Sequence, residues 1–170
     1  VLSSAIDSML DLLVSALNFF AIRKSQAAPD AKFNFGYAKL EALAAMFEGV
    51  LIVGAGVFIL YESVRKLQTE QAPVDTAFSL YAMALSVAVT GLLVAYLSRV
   101  ARRTRNLIVR ADALHYKSDL FSNLAVIASL ILVEFTGFAA IDAVFGIVIS
   151  GCIAVSAINL MKESLGVLLD

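Results

Sequence analysis

Five apolar runs, each about as long as a bilayer is thick, limit what this chain can fold into. They cover roughly residues 1–22, 40–64, 78–98, 112–135 and 143–161. A helix crossing the hydrocarbon core needs roughly 20 mostly apolar residues. No run alternates with a period of two, and all are too long for barrel strands. In lipid every backbone N–H and C=O must be satisfied internally, which leaves the helix. The expected fold is therefore all-α: a polytopic membrane helix bundle filling residues 1–170, with five transmembrane helices and no room for a soluble domain. Polar or basic joints separate the helices at Arg23–Lys39, Arg65–Ala77, Arg99–Ala111 and Thr136–Asp142.

Composition agrees. Of 170 residues, 61% are hydrophobic and 16% charged, and the mean hydropathy is +0.88. An ordinary soluble domain has roughly 45–50% apolar and 25% charged residues, and disordered chains are more polar still. Thirteen Lys and Arg against fourteen Asp and Glu give a net charge of -1. No basic face interleaved with aromatics points to nucleic acid. The single cysteine, Cys152, cannot form an internal disulfide and reads as a small packed residue. The sequence opens on Val1 inside an apolar helix and closes on a stem, Glu163–Asp170, so it reads as a fragment of a longer protein. The first run is not a signal peptide: it lacks a basic leader, and Asp7 and Asp11 interrupt it.

Positive charge sets the orientation. Arg23, Lys24, Lys32, Lys39, Arg99, Arg102, Arg103, Arg105, Arg110 and Lys162 fall on one side if the helices alternate. The other side receives only Arg65 and Lys66, with Lys117 inside a helix. The basic loops are expected to be cytoplasmic, where they could also meet anionic lipid.

The chemistry lies in ionisable residues within the apolar runs. Asp7 and Asp11 are spaced i, i+4, so they stack one turn apart on one helix face. Ser4, Ser8, Ser15 and Asn18 extend that stripe. In the fourth run Asp112, His115 and Asp119 fall at i, i+3 and i+7, and Asn123 continues them. A charged side chain facing lipid costs roughly 3 kcal/mol on insertion scales, so two such stripes are expected to face each other. Asp11 lies about 18 Å from Arg23 along its helix, and Asp119 about 13 Å from Arg110, at 1.5 Å per residue. On antiparallel helices these carboxylates meet near mid-membrane. Asp7, Asp11, His115 and Asp119 then form a four-ligand N/O set that suits tetrahedral Zn²⁺. Interhelical hydrogen bonding and a metal-free proton relay remain alternatives. Asp112, near the membrane edge, is expected to cap the fourth helix. Glu41 and Glu48 share a face of the second helix, and Glu48 is deep enough to need a partner or to line a polar path. Gly49, Gly54, Gly56 and Gly91 are expected to permit close helix contact.

Three stretches carry a resemblance. Ala5-Ile6-Asp7-Ser8-Met9-Leu10-Asp11 resembles the metal-binding second helix of the cation diffusion facilitator family. Phe35-Gly36-Tyr37-Ala38-Lys39-Leu40-Glu41 is similar to the segment that opens its third helix. Arg110-Ala111-Asp112-Ala113-Leu114-His115-Tyr116-Lys117-Ser118-Asp119 is similar to its fifth helix. Order and spacing match from the second to the sixth family helix, nearly the whole chain. The first family helix and the cytoplasmic metal-binding domain are not in this sequence. The resemblance implies a homodimeric, proton-coupled exporter of divalent metal, multi-pass in the cell inner membrane, with Asp7, Asp11, His115 and Asp119 as the transport site. This set resembles the zinc and zinc/iron branches, whereas manganese members usually carry Asn in the first pair and Asp for the His. A loop site seen in some bacterial members is matched only by Asp30, with Phe33 and Tyr37 where imidazoles would stand. Lys39 matches a lysine that pairs with the cytoplasmic domain in some members.

The implied partners are divalent metal ions, protons, the lipid bilayer and a second copy of the chain, with no nucleic acid and no organic cofactor. Zn²⁺ is the expected cargo; Fe²⁺, Cd²⁺ and Co²⁺ suit the same ligands. Binding requires ionised carboxylates and a neutral imidazole, so it releases protons, and protons on the far side displace the metal. Nothing resembles a nucleophile with its base, so no enzyme is expected. The rival readings are a metal-binding sensor or scaffold subunit without transport, and an ion channel.

Overall fold

The computed structural model describes residues 2–27, 37, 39–68, 76–138 and 140–170, and for residues 2–8, 10, 68, 76–82 and 134 the backbone alone. Five helices account for nearly all of them: α1 (Leu2–Ser25), α2 (Lys39–Gln68), α3 (Thr76–Thr104), α4 (Leu107–Thr136) and α5 (Ala140–Leu169). Among the described residues there is no strand. Four helices, α2 to α5, are long and apolar enough to cross a membrane over their described residues. The chain is thus the integral membrane helix bundle expected from the apolar runs. The helices extend past those runs, α5 by eight residues beyond Met161. Polar residues beyond the hydrocarbon can be solvated while their backbone remains helical.

The ends of α4 show how the sequence sets these limits. Asn106 is its N-cap, with a side-chain oxygen accepting from the Val109 N–H at 3.0 Å. The Glu41 carboxylate, reaching across from the first turn of α2, accepts from the Leu107 N–H. Two of the free donors at this N-terminus are thereby satisfied. Asp112, expected to be the cap, instead lies within α4, because the helix starts at Leu107 and its first donors are already engaged. At the other end Gly137 adopts φ 71° and donates its N–H to the Val133 carbonyl, a left-handed stop that glycine adopts without steric cost.

Contacts between helix ends establish an up-and-down arrangement. Lys39 at the start of α2 donates to the Leu168 carbonyl at the end of α5 (3.0 Å). Lys66 at the end of α2 pairs with Asp142 at the start of α5 (2.7 Å), and Asp142 also accepts from Ser129 of α4 (2.6 Å). Arg110 near the start of α4 pairs with Glu163 near the end of α5. Consecutive helices α2 to α5 therefore reverse direction. Arg102, Arg105, Arg110 and Lys39 gather at one end of the bundle; Arg65 and Lys66 lie at the other.

The most extensive pairing is α2 with α5. On α2 the contact seam runs Ala42, Ala45, Gly49, Ile52, Gly56, Ser63; on α5 it runs Ala143, Gly146, Ser150, Ile153, Ala157, Leu160, Ser164. Both follow the alternating three- and four-residue steps of a heptad seam, filled with small side chains. A Cβ on Gly49 would come within 2.6 Å of Met161, and one on Gly146 would fall on the Ser63 hydroxyl. Large apolar side chains such as Phe20, Phe58, Leu92 and Phe135 point outward. Lipid solvates such side chains as well as a protein core does, so close packing, not apolar burial, associates the helices. Among the described residues Gly54 meets nothing within 4 Å and does not serve the close contact expected of it. Cys152, expected in the core, is exposed, because it lies off the α5 seam between Ser150 and Ile153.

Candidate metal centre

Asp11 of α1 and His115 and Asp119 of α4 come together, as the paired stripes require. His115 Nε2 lies 3.6 Å from Asp11 Oδ1 and 3.7 Å from Asp119 Oδ2. The second distance joins residues one turn apart on α4. The first crosses between helices and brings the two sequence motifs together. All three side chains line a cavity of about 590 Å³ between α1, α2 and α4. Asp7 belongs to the same helix, but its side chain lies outside the described residues. Among the described residues no three His, Cys, Asp or Glu side chains are arranged as a ready metal cage.

A second polar level lies seven residues along each stripe, roughly 10.5 Å toward the basic end of the bundle at 1.5 Å per residue. There the Asn18 amide donates to Glu48 Oε2 at 2.9 Å and to Asp112 Oδ1 at 2.8 Å. One amide group thus joins α1, α2 and α4. Glu48 is 2% exposed and Asn18 4%, and Glu48 Oε1 has no hydrogen-bond partner among the described residues. Glu48 and Asp112 line the same cavity as His115, and no lysine or arginine among the described residues does. Glu48 therefore has the partner its depth demands. The sequence held one signal for this level: Asn18 follows Asp11 by seven residues, and Asp112 precedes Asp119 by seven. Two heptad steps in antiparallel helices align a second contact. What could not be read was that Glu48, on a third helix, joins them.

The remaining candidates have other partners. Lys39 caps the carbonyl end of α5, a favourable site for a cation at a helix C-terminus. Tyr37 lies under the Lys24 ammonium, 4.1 Å from ring centroid to Nζ. Asp30 and Phe33 lie outside the described residues. Lys117 points off the stripe, its ammonium 5.5 Å from the Phe121 ring centroid.

A multi-pass bundle with carboxylates and an imidazole gathered between its helices defines an integral membrane protein built around a polar centre. The chain belongs to the cation efflux family: the model of the cation efflux transmembrane domain matches residues 1–169, which agrees with the cation diffusion facilitator motifs. Its curated relatives include protein p34 of Rickettsia rickettsii (strain Sheila Smith), 34% identical over 170 residues. The cation-efflux pumps FieF of Yersinia enterocolitica and Serratia proteamaculans are 32% and 33% identical over the same length. Each alignment takes in 100% of this chain and 56% of the relative, so the chain spans just over half the length of these proteins.

Proposed function

We propose that this chain is the membrane part of a divalent metal exporter that exchanges its cargo for protons. Asp7, Asp11, His115 and Asp119 bind the ion. The supporting observation is the approach of His115 to both Asp11 and Asp119 in one cavity. Ligand atoms about 2.0–2.1 Å from a tetrahedral Zn²⁺ stand roughly 3.4 Å from one another. The two separations from His115 Nε2, 3.6 and 3.7 Å, are slightly wider than that. Closing each of these gaps by a few tenths of an ångström brings His115 to ligand spacing with either carboxylate, and Asp7, one turn from Asp11, is the fourth member of the proposed set.

The imidazole favours Zn²⁺ over cations that prefer oxygen alone. Binding needs the carboxylates ionised and His115 neutral, so the loaded site has given up protons. When the site faces the opposite side, protons return to the same atoms and displace the metal. The protonated site then resets, and no covalent step is required. The basic end faces the cytoplasm by the distribution of Lys and Arg, so export runs from that end. The intact protein acts as a homodimer in the cell inner membrane.

Flux into proteoliposomes containing the intact protein tests this. Zn²⁺ should accumulate against an opposing proton gradient, and Asp11→Ala should abolish it. Metal binding without flux would identify a sensor or scaffold instead, and flux far faster than exchange would identify a channel.

A further inference from the structure

A cavity of about 600 Å³ opens at the basic end, between α3, α4 and α5, away from the metal centre. Arg102, Arg105, Arg110 and Lys117 line it, with Glu163 as its one carboxylate among the described residues. Glu163 is engaged by Arg110. Among the described residues no carboxylate lies within ion-pair reach of Arg102, Arg105 or Lys117. The pocket therefore holds three cations in excess. Arg105 has φ 54°, a left-handed conformation that a side-chain-bearing residue adopts at some cost. The two-residue turn between α3 and α4 holds it there.

A second cavity of about 270 Å³ continues the first toward mid-membrane. Leu114, Lys117 and Ser156 line both. The pocket occupies α4 from Arg110 to Lys117 and α5 from Ser156 to Glu163. The groove takes over from Leu114 to Phe121 and from Ile149 to Ser156. Its lining is mostly apolar, with Phe121, Ile149, Cys152 and Ile153 facing it and Ser118 and Ser156 as its neutral polar members. Lys117 stands at the junction, seven residues or roughly 10.5 Å inside Arg110. Its ammonium has the Phe121 ring at 5.5 Å and no carboxylate within ion-pair reach among the described residues, so at that depth an anion would add to its stabilisation.

The geometry points to a binding site for one anionic phospholipid, its phosphodiester headgroup among Arg102, Arg105 and Lys117 and one acyl chain in the α4–α5 groove. A free anion would satisfy the pocket and leave the groove unfilled. A zwitterionic lipid would fill the groove but bring its own cation to a pocket already in cationic excess. Basic pockets between transmembrane helices bind such headgroups at close quarters. Occupation would tie the α3–α4 turn to α5, in the N-terminal half of α4 where His115 and Asp119 also lie.

Native mass spectrometry of the intact protein, delipidated and offered phosphatidylglycerol or phosphatidylcholine of equal chain length, tests the site. Phosphatidylglycerol should be retained preferentially. Arg102→Gln and Lys117→Gln should each lower its occupancy about fivefold, while Arg99→Gln, at the same end but outside the pocket, should leave it unchanged. Phosphatidylglycerol with a photoreactive acyl chain should label the α4–α5 groove around Phe121 and Cys152. The proposal is overturned by equal retention of the two lipids, or by equal loss in Arg99→Gln, which would mean a diffuse basic belt. Complete displacement by inorganic phosphate, or labelling spread over all outward faces, would also overturn it. None of these readouts depends on metal transport, so they stand or fall apart from the export reading.

Discussion

His115 Nε2 lies 3.6 Å from Asp11 Oδ1, across the gap between the first and fourth helices, α1 and α4. Neither spacing is unusual on its own helix, where an i, i+4 acidic or acid–imidazole pair is common. Their meeting turns two local patterns into one candidate site and gives rise to the first three predictions.

Asp11→Ala removes one carboxylate from the set. Zn²⁺ binding to the membrane domain, measured by titration calorimetry on the intact protein, should be lost together with vesicle flux. The thermal stability of the metal-free protein should hold or rise, because one of several clustered negative charges is gone. Wild-type binding by this variant would remove Asp11 from the site.

His115→Asp replaces the one nitrogen of the proposed ligand set with oxygen. The ratio of Zn²⁺ to Mn²⁺ affinity should fall, since nitrogen suits Zn²⁺ and all-oxygen sets suit Mn²⁺. Competition binding on both proteins gives the ratio directly. If it does not change, selectivity resides in the geometry of the helices and not in the imidazole.

Apparent Zn²⁺ affinity should weaken as pH falls, because in the proposed exchange metal and protons compete for the same atoms. The sign follows from the species bound: the loaded site holds fewer protons, so every added proton favours the empty one. His115→Asn should weaken this dependence, because it removes one protonatable member of the proposed set. Calorimetry in buffers of different ionisation enthalpy counts the protons released, and metal binding that releases none at any pH in the series would rule out exchange at these side chains.

Asn18→Leu should destabilise the bundle by about 1–3 kcal/mol, because it strands the buried Glu48 carboxylate, with a smaller loss at the half-buried Asp112. Asn18 donates to both Glu48 and Asp112. Adding Glu48→Leu and Asp112→Leu should recover part of the loss, since an apolar level leaves nothing unsatisfied. Thermal unfolding in detergent compares the three proteins, and a single variant as stable as wild type would show that water already satisfies these groups.

Gly146→Val should separate α2 from α5, because its Cβ would fall on the Ser63 hydroxyl. Overpacking of this kind typically costs about 1–3 kcal/mol. Gly54→Val, where nothing lies within 4 Å, should be close to neutral. The two melting temperatures, measured side by side, separate a packing role from a general intolerance of side chains at glycine.

Much of this molecule follows from local chemistry that a sequence carries openly. Apolar length alone dictates helices, because lipid leaves the backbone no other partner. The i, i+4 spacing alone puts Asp7 with Asp11, and His115 with Asp119, on single faces. The family motifs are contiguous, so they too were legible. Tertiary structure decided whatever depends on which helices are neighbours and how far each extends. Asp112 looked like a cap by its place at the edge of an apolar run; only the position of Glu41 beside the Leu107 N–H, and of Asn106 before it, shows that α4 begins earlier. Cys152 looked like core by residue type, but the rotation of α5 against α2 turns it outward. Glu48 announced a need for a partner without naming one, and Asn18 became that partner because three helices converge at that depth. Helix periodicity fixes which residues share a face, but not the rotation, depth or neighbour of that face, because those are set by packing between segments far apart in the chain.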